Sequence, residues 1–141
     1  MLDSKLILPY KDDEGIIRGE TVLAIKEGNY YRIKSIPLYA SKIALYDLIA
    51  VRKREGVLYF SKIIESSGRS VIQMIVLKDR QIKAIGKDLE QFGCLWRRGD
   101  DKHLIAFDVP KHVLYRPIKE WLDQGERDQH WGYREACLSH E

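Results

Sequence analysis

The 141-residue sequence has few features that would announce a chemistry. It has two cysteines, Cys94 and Cys137, too few for a disulfide framework. No apolar run approaches the roughly 20 residues a membrane helix needs. The start, Met-Leu-Asp-Ser-Lys, has no basic segment followed by an apolar one, so no leader is read there. These absences predict a cytoplasmic protein with two free, buried thiols. Gly-x-x-x-x-Gly-Lys, Gly-x-Gly-x-x-Gly, His-Glu-x-x-His, Cys-x-x-Cys and Gly-x-Ser-x-Gly are all missing. No cofactor or metal is therefore expected. The acidic run Asp12-Asp13-Glu14 lacks calcium-loop spacing, and Gly15 accounts for the turn.

Charge of one sign is also scarce. The net charge is +3, carried wholly by residues 1–69, while residues 70–141 are neutral. A nucleic-acid binder would show one strongly basic face. Two basic stretches exist, Arg52-Lys53-Arg54 and Arg97-Arg98, and the second borders Asp100 and Asp101.

What is present is a spine from Gly56 to Leu77. Two runs rich in β-branched and aromatic residues flank Ser66-Ser67-Gly68-Arg69-Ser70, which reads as strand, connection, strand. Before it come Leu6–Tyr10, a hairpin of Glu20–Lys26 and Tyr30–Lys34 across Glu27-Gly28-Asn29, and Leu48–Val51. Both Gly28 and Asn29 are expected at positive φ, and Arg52–Gly56 is expected as a basic turn. Ser41–Tyr46 is expected as a loop or one helical turn. Five short strands with polar turns predict a small bent sheet or partial barrel.

After Leu77 the period changes. Ile82, Ile85, Leu89 and Phe92 recur at helical spacing, with Asp79 as the expected N-cap and Gly93 as the stop. Gly86 inside that helix costs about 1 kcal/mol relative to Ala, which is tolerable if that turn packs closely on the sheet. Cys94–Arg98 and His103–Asp108 form a hairpin, Tyr115-Arg116-Pro117 opens a second helix, and Tyr133–Leu138 is a last strand. The order is the split βαβ of a ferredoxin-like sandwich. The expected fold is thus α+β: a β-rich half, residues 1–69, packed on a ferredoxin-like βαββαβ half, residues 70–141, as one cooperative unit.

Several segments together resemble an uncharacterised family of small bacterial proteins known only as a domain of unknown function. They are Glu20–Ala24, Tyr31–Ala40, Asp47, Glu65–Ser70, Phe92-Gly93-Cys94, Ala106–Pro110 and Trp131–Leu138. The family pattern expects Gly before Asp47, where this chain has Tyr46. The resemblance supplies no catalytic residues. Small orphan bacterial proteins of this kind are similar to immunity proteins that neutralise interbacterial toxins, an analogy of type alone.

The leading expectation is a non-enzymatic protein-binding module, in its sharpest form such an immunity protein. The partner surface would be drawn from Arg52, Lys53, Arg54, Arg97, Arg98, Asp100, Asp101 and Trp131, with an exposed Trp131 marking the site. A second reading is nucleic-acid binding through both basic stretches, which requires them to share a face. A third is an enzyme with an unrecognised site, pairing Cys94 or a carboxylate with a histidine. His103, His112, His130 and His140 are expected in exposed loops, and Cys94 at a buried strand start.

Overall fold

The computed structural model describes residues 2–141; Met1, part of the stretch read for a leader, lies outside them. Nine strands and two helices follow in the order β1 (Ser4–Lys11), β2 (Ile17–Glu27), β3 (Tyr30–Ile33), β4 (Leu48–Arg54), β5 (Val57–Glu65), β6 (Ser70–Val76), α1 (Ile82–Phe92), β7 (Leu95–Arg98), β8 (Leu104–Val109), α2 (Arg116–Arg127) and β9 (Trp131–Cys137). The protein is α+β.

Strands β1 to β5 close into a barrel, not the partial one expected. Closure comes from a short parallel pairing of β1 with β5, Leu6 opposite Leu58 and Ile7 opposite Tyr59. Alternate residues point inward, so Leu6, Leu8, Val22, Ala24, Ile33 and Ile49 form a dry interior. Strand β4 continues through the three cations, and the turn is Glu55-Gly56, both at positive φ. Arg52, Lys53 and Arg54 therefore lie on a strand end, not in a turn. In the β2–β3 turn Gly28 takes positive φ and Asn29 does not. Ser41–Tyr46 is a run of turns without helix.

Strands β6 to β9 form a sheet of order β7-β8-β6-β9 in which every neighbour is antiparallel. Both helices lie on one face. Ile72, Met74, Val76, Ile105, Phe107 and Val109 from the central strands meet Ile82, Ile85 and Leu89 of α1 and Ile118 and Leu122 of α2. Pro117 sits in the first turn of α2 and Gly93 ends α1 in the left-handed region, as the sequence predicts. Asp79 caps nothing; it lies in a short 3-10 turn ahead of α1. The helix glycines are contact points. A Cβ on Gly86 would overlap the Trp96 ring, and one on Gly125 would overlap the Trp131 ring.

The other sheet face is covered by the segment between β3 and β4. Ile36, Leu38, Ala44 and Leu45 pack on Val71, Leu104, Ala106 and Ala136. A buried loop must find partners for its backbone groups, and here buried acids supply them. Glu20 accepts the amides of Leu38, Tyr39 and Ala40 at 2.6, 3.0 and 3.0 Å. Asp47 accepts Ala44 and Ser67 at 2.9 and 2.8 Å. Tyr46, where the family pattern expects Gly, takes φ +67°, and Arg69 lies over its ring at 4.9 Å.

A cleft between the barrel and the sheet

The covering segment does not reach the far end of the sheet. There the β1–β2 turn overhangs β6 and β9, and a cleft of about 510 Å³ opens. Its floor is Ile75, Leu104 and Gly132, with Leu38 beside them. Ile75 and Gly132 are cross-strand partners, and nothing lies within 4 Å of where a Gly132 side chain would begin. Ile75 is 48% exposed on a strand otherwise buried along its whole length.

One wall is a stacked pair, Tyr10 on Tyr39, with ring centres 5.0 Å apart. Burial pushes the Tyr39 hydroxyl above its ordinary range, with Tyr10 and nearby carboxylates adding to the effect. Above the wall, Asp12 closes its own turn by accepting the Glu14 and Ile16 amides and pairs with Arg18 at 2.6 Å. The Arg18 guanidinium holds the Asp12 carboxyl below the usual carboxylate range. This acidic turn is thus an internally bonded loop. At the floor's edge Arg134, cross-strand partner of Gln73, donates Nε to Gln73 Oε1 at 2.7 Å and Nη2 to the Tyr39 carbonyl. The Gln73 amide is itself fixed, donating to the carbonyls of Pro37 and Ala40.

The residues singled out in the sequence are scattered. Arg52, Lys53 and Arg54 sit at the outer end of β4, while Leu48 at its start adjoins Asp47 at the sheet. Six residues of strand, about 20 Å, separate the two ends. Arg97 is at the seam, donating to the Ile36 carbonyl, and Arg98 donates to that of Lys102. The two basic stretches do not merge. Of Asp100 and Asp101 in the β7–β8 turn, Asp101 lines the cleft. Trp131 contradicts the expectation of an exposed anchor: it is 7% exposed, belongs to β9, lies on Gly125 and donates to the Leu122 carbonyl. The polar residues around it form the end of α2 and its turn, so local polarity misled.

The nucleophile candidates are occupied. Cys94 is buried and its thiol is pushed up to about 12. Cys137 is also free but half-buried, less enclosed than expected. Ser70 Oγ stands 2.6 Å from His140 Nδ1, a pairing the sequence reading missed. Ser70 is fully buried and accepts the Ser139 and His140 amides, so the contact fastens the chain end. His103 and His140 are not free loop residues; the first bonds the Val76 carbonyl, the second that of Pro110. Asp101 accepts the backbone amide of His103 rather than its ring. Among the described residues no group of three or more His, Cys, Asp and Glu could hold a metal.

Barrel, helix-backed sheet and intervening cleft define the class: a small α+β protein with a concave face built from both halves. The chain belongs to the family described as a domain of unknown function, DUF4265, whose model matches residues 20–133. It is also similar to the crystal structure of a hypothetical protein from Neisseria gonorrhoeae, 27% identical, with a TM-score of 0.86 over 100% of this chain and 99% of that one. No curated protein matches it. The family segments recognised in the sequence turn out to supply the buried fastenings: Glu20, Asp47, Ser67, Arg69 and Asp108. Among the described residues, no helix is long and apolar enough to cross a membrane.

Proposed function

We propose that this protein is a non-enzymatic protein-binding module and that the cleft is its binding surface. The carrying observation is Ile75. A central strand does not leave a large apolar side chain half exposed without cost, and such a position in a concave site is where a partner's apolar anchor gains most. The volume also suits a bound group. The groups that could attack a substrate support the non-enzymatic reading, because Cys94 and Ser70 are enclosed away from the cleft. An immunity protein neutralising a toxin is the specific form of this proposal. The same proposal takes residues 70–141 as a ferredoxin-like unit, the two halves as one cooperative body, and a reducing cytoplasm as the setting.

The test is co-purification at native expression level, comparing the natural chain with Ile75→Ser. Ile75 is exposed, so the variant keeps the fold. A stoichiometric protein partner lost in the variant is expected. Recovery of the chain alone at every expression level overturns the proposal.

A further inference from the structure

Arg134 is an arginine whose charge has no counter-charge. Arg18, Arg32 and Arg69 each face a carboxylate. Arg134 is held by an amide oxygen and a backbone carbonyl, both neutral, and makes no ion pair among the described residues. Those two bonds fix the plane of the guanidinium and use Nε and Nη2. Nη1 has no hydrogen-bond partner among the described residues, and Arg134 borders the cleft and a second groove of about 580 Å³ along the outer side of β9. A guanidinium fixed in advance spends little entropy on binding an anion and presents its remaining donors in set geometry.

The surroundings narrow the anion. Three cations, Lys11, Arg18 and Arg134, and three carboxylates, Asp12, Asp13 and Asp101, line the cleft. Their charges cancel, so a polyanion gains nothing from the cleft as a whole and meets three carboxylates. A single carboxylate on Arg134, on a chain that is otherwise apolar or of mixed charge, meets a guanidinium that has no carboxylate within ion-pair distance among the described residues. The floor sets the spacing. Gly132 and Arg134 are two residues apart on β9 and face the same side, about 7 Å along the strand. Gly132 leaves a hole beside the exposed Ile75. An extended chain carries its own same-side residues at the same spacing.

We propose that the cleft receives an extended segment of a protein partner along β9, an Asp or Glu carboxylate on Arg134 and, two residues away, an apolar side chain in the hole formed by Gly132 and Ile75. This rests on the reading of the cleft as a protein-binding surface and names what that surface selects.

The probe is a random linear peptide library selected on the immobilised full chain, followed by calorimetric titration of synthetic copies of the enriched peptides. Enriched sequences are expected to share Asp or Glu two residues from a large apolar residue. Replacing that acid by Gln, or Arg134 by Gln, should each weaken binding about tenfold or more, the scale of a hydrogen bond to a charged group. The two changes made together should cost little more than either alone, because they remove one contact. Arg134→Gln also removes a fastening to Tyr39, so Gly132→Val provides the second arm. Its backbone is not in the left-handed region and its Cβ meets open space, so the variant folds while Val fills the hole and abolishes binding. Peptides that bind the natural chain, are lost with Gly132→Val, and carry no acid or ignore Arg134→Gln would overturn the carboxylate anchor and leave the protein-binding reading standing. Peptides indifferent to both variants would overturn the cleft as the binding surface, and no enrichment at all would overturn the extended-segment proposal alone, leaving the protein-binding reading to the co-purification test.

Discussion

The two faces of the four-stranded sheet are made from alternate residues of the same strands and are held in different ways. Toward the helices, Ile72, Met74, Val76, Ile105, Phe107 and Val109 make a dry interior. Toward the barrel, Val71, Gln73 and Ile75 alternate with them on β6, and Leu104, Ala106 and Asp108 on β8. There small apolar contacts are interleaved with bonded polar groups: Arg69 bidentate on Asp108, Gln73 on two carbonyls, Arg134 on Gln73. The first face gives stability through area removed from water, which is non-directional. The second fixes how the barrel sits on the sheet, because hydrogen bonds are directional. It is also the face that leaves a cleft where its cover stops.

The largest expected effect falls on the barrel face. Asp108 is fully buried and is the carboxylate partner of Arg69. Asp108→Asn leaves the part-buried guanidinium without its counter-charge and should cost about 1.5–3 kcal/mol in urea unfolding, the scale of hydrogen bonds to a charged group. A cost under about 1 kcal/mol would mean that this face is held by its apolar contacts alone.

On the helix face the sensitive quantity is volume. Gly125→Ala recovers about 1 kcal/mol of helix propensity, but its Cβ overlaps the Trp131 ring, and overpacking costs about 1–3 kcal/mol. The variant should be net destabilised by denaturant melting. A gain would show that this face repacks freely.

Cys94 gives the dry face a pH signature. Burial moves its thiol from 9.0 to about 12 in the folded chain. The unfolded chain then loses this proton first, so folding stability is complete below about pH 9 and falls as pH rises toward 12. Urea midpoints of the natural chain should fall more steeply over that window than those of Cys94→Ala. Parallel slopes would place the thiol in contact with water.

The smallest effect belongs to Tyr46. Tyr46→Gly relieves a side chain at φ +67°, worth about 1–2 kcal/mol, but it loses the Arg69 contact, worth about 0.5–1 kcal/mol, and it loosens the unfolded chain. The stability change should stay within about 1 kcal/mol. A larger loss would make the aromatic contact a main fastening of the barrel face.

The helix face was legible in the sequence because its signal is local. Ile82, Ile85 and Leu89 recur at helical spacing, and Gly93 and Pro117 mark boundaries, each signal lying within its own helix segment. The barrel face was not. Asp108 meets Arg69 across 39 residues, Arg134 meets Gln73 across 61, and the Glu20 carboxylate serves amides 18 to 20 residues away. Nothing at position 20 or 108 distinguishes a buried acid from an exposed one. The cleft was hidden for the same reason. Tyr10, Tyr39, Ile75, Gly132 and Arg134 come from four separate stretches, and Arg134 is one cation among 24. The basic runs drew attention because they are contiguous, and contiguity is a poor guide to a surface assembled by topology. Tyr46 shows the reverse: the family pattern located a left-handed position that the residue itself would not suggest.

Glu20 and Asp47 fasten to the barrel the segment that covers the sheet, and the proposal that the two halves form one cooperative body requires barrel and sheet to open together. Native-state amide hydrogen exchange at the seam tests it most directly. The Lys42 amide, which donates across the seam to the Ala136 carbonyl, and the amides of Leu38 and Ala40 on Glu20 and of Ala44 and Ser67 on Asp47 should exchange with the same opening free energy and denaturant dependence as Ile72 in the sheet and Leu8 in the barrel. Seam amides that exchange orders of magnitude faster, the Lys42 amide above all, while the sheet and barrel cores stay protected, would rule out joint opening, because the two halves would then separate without unfolding.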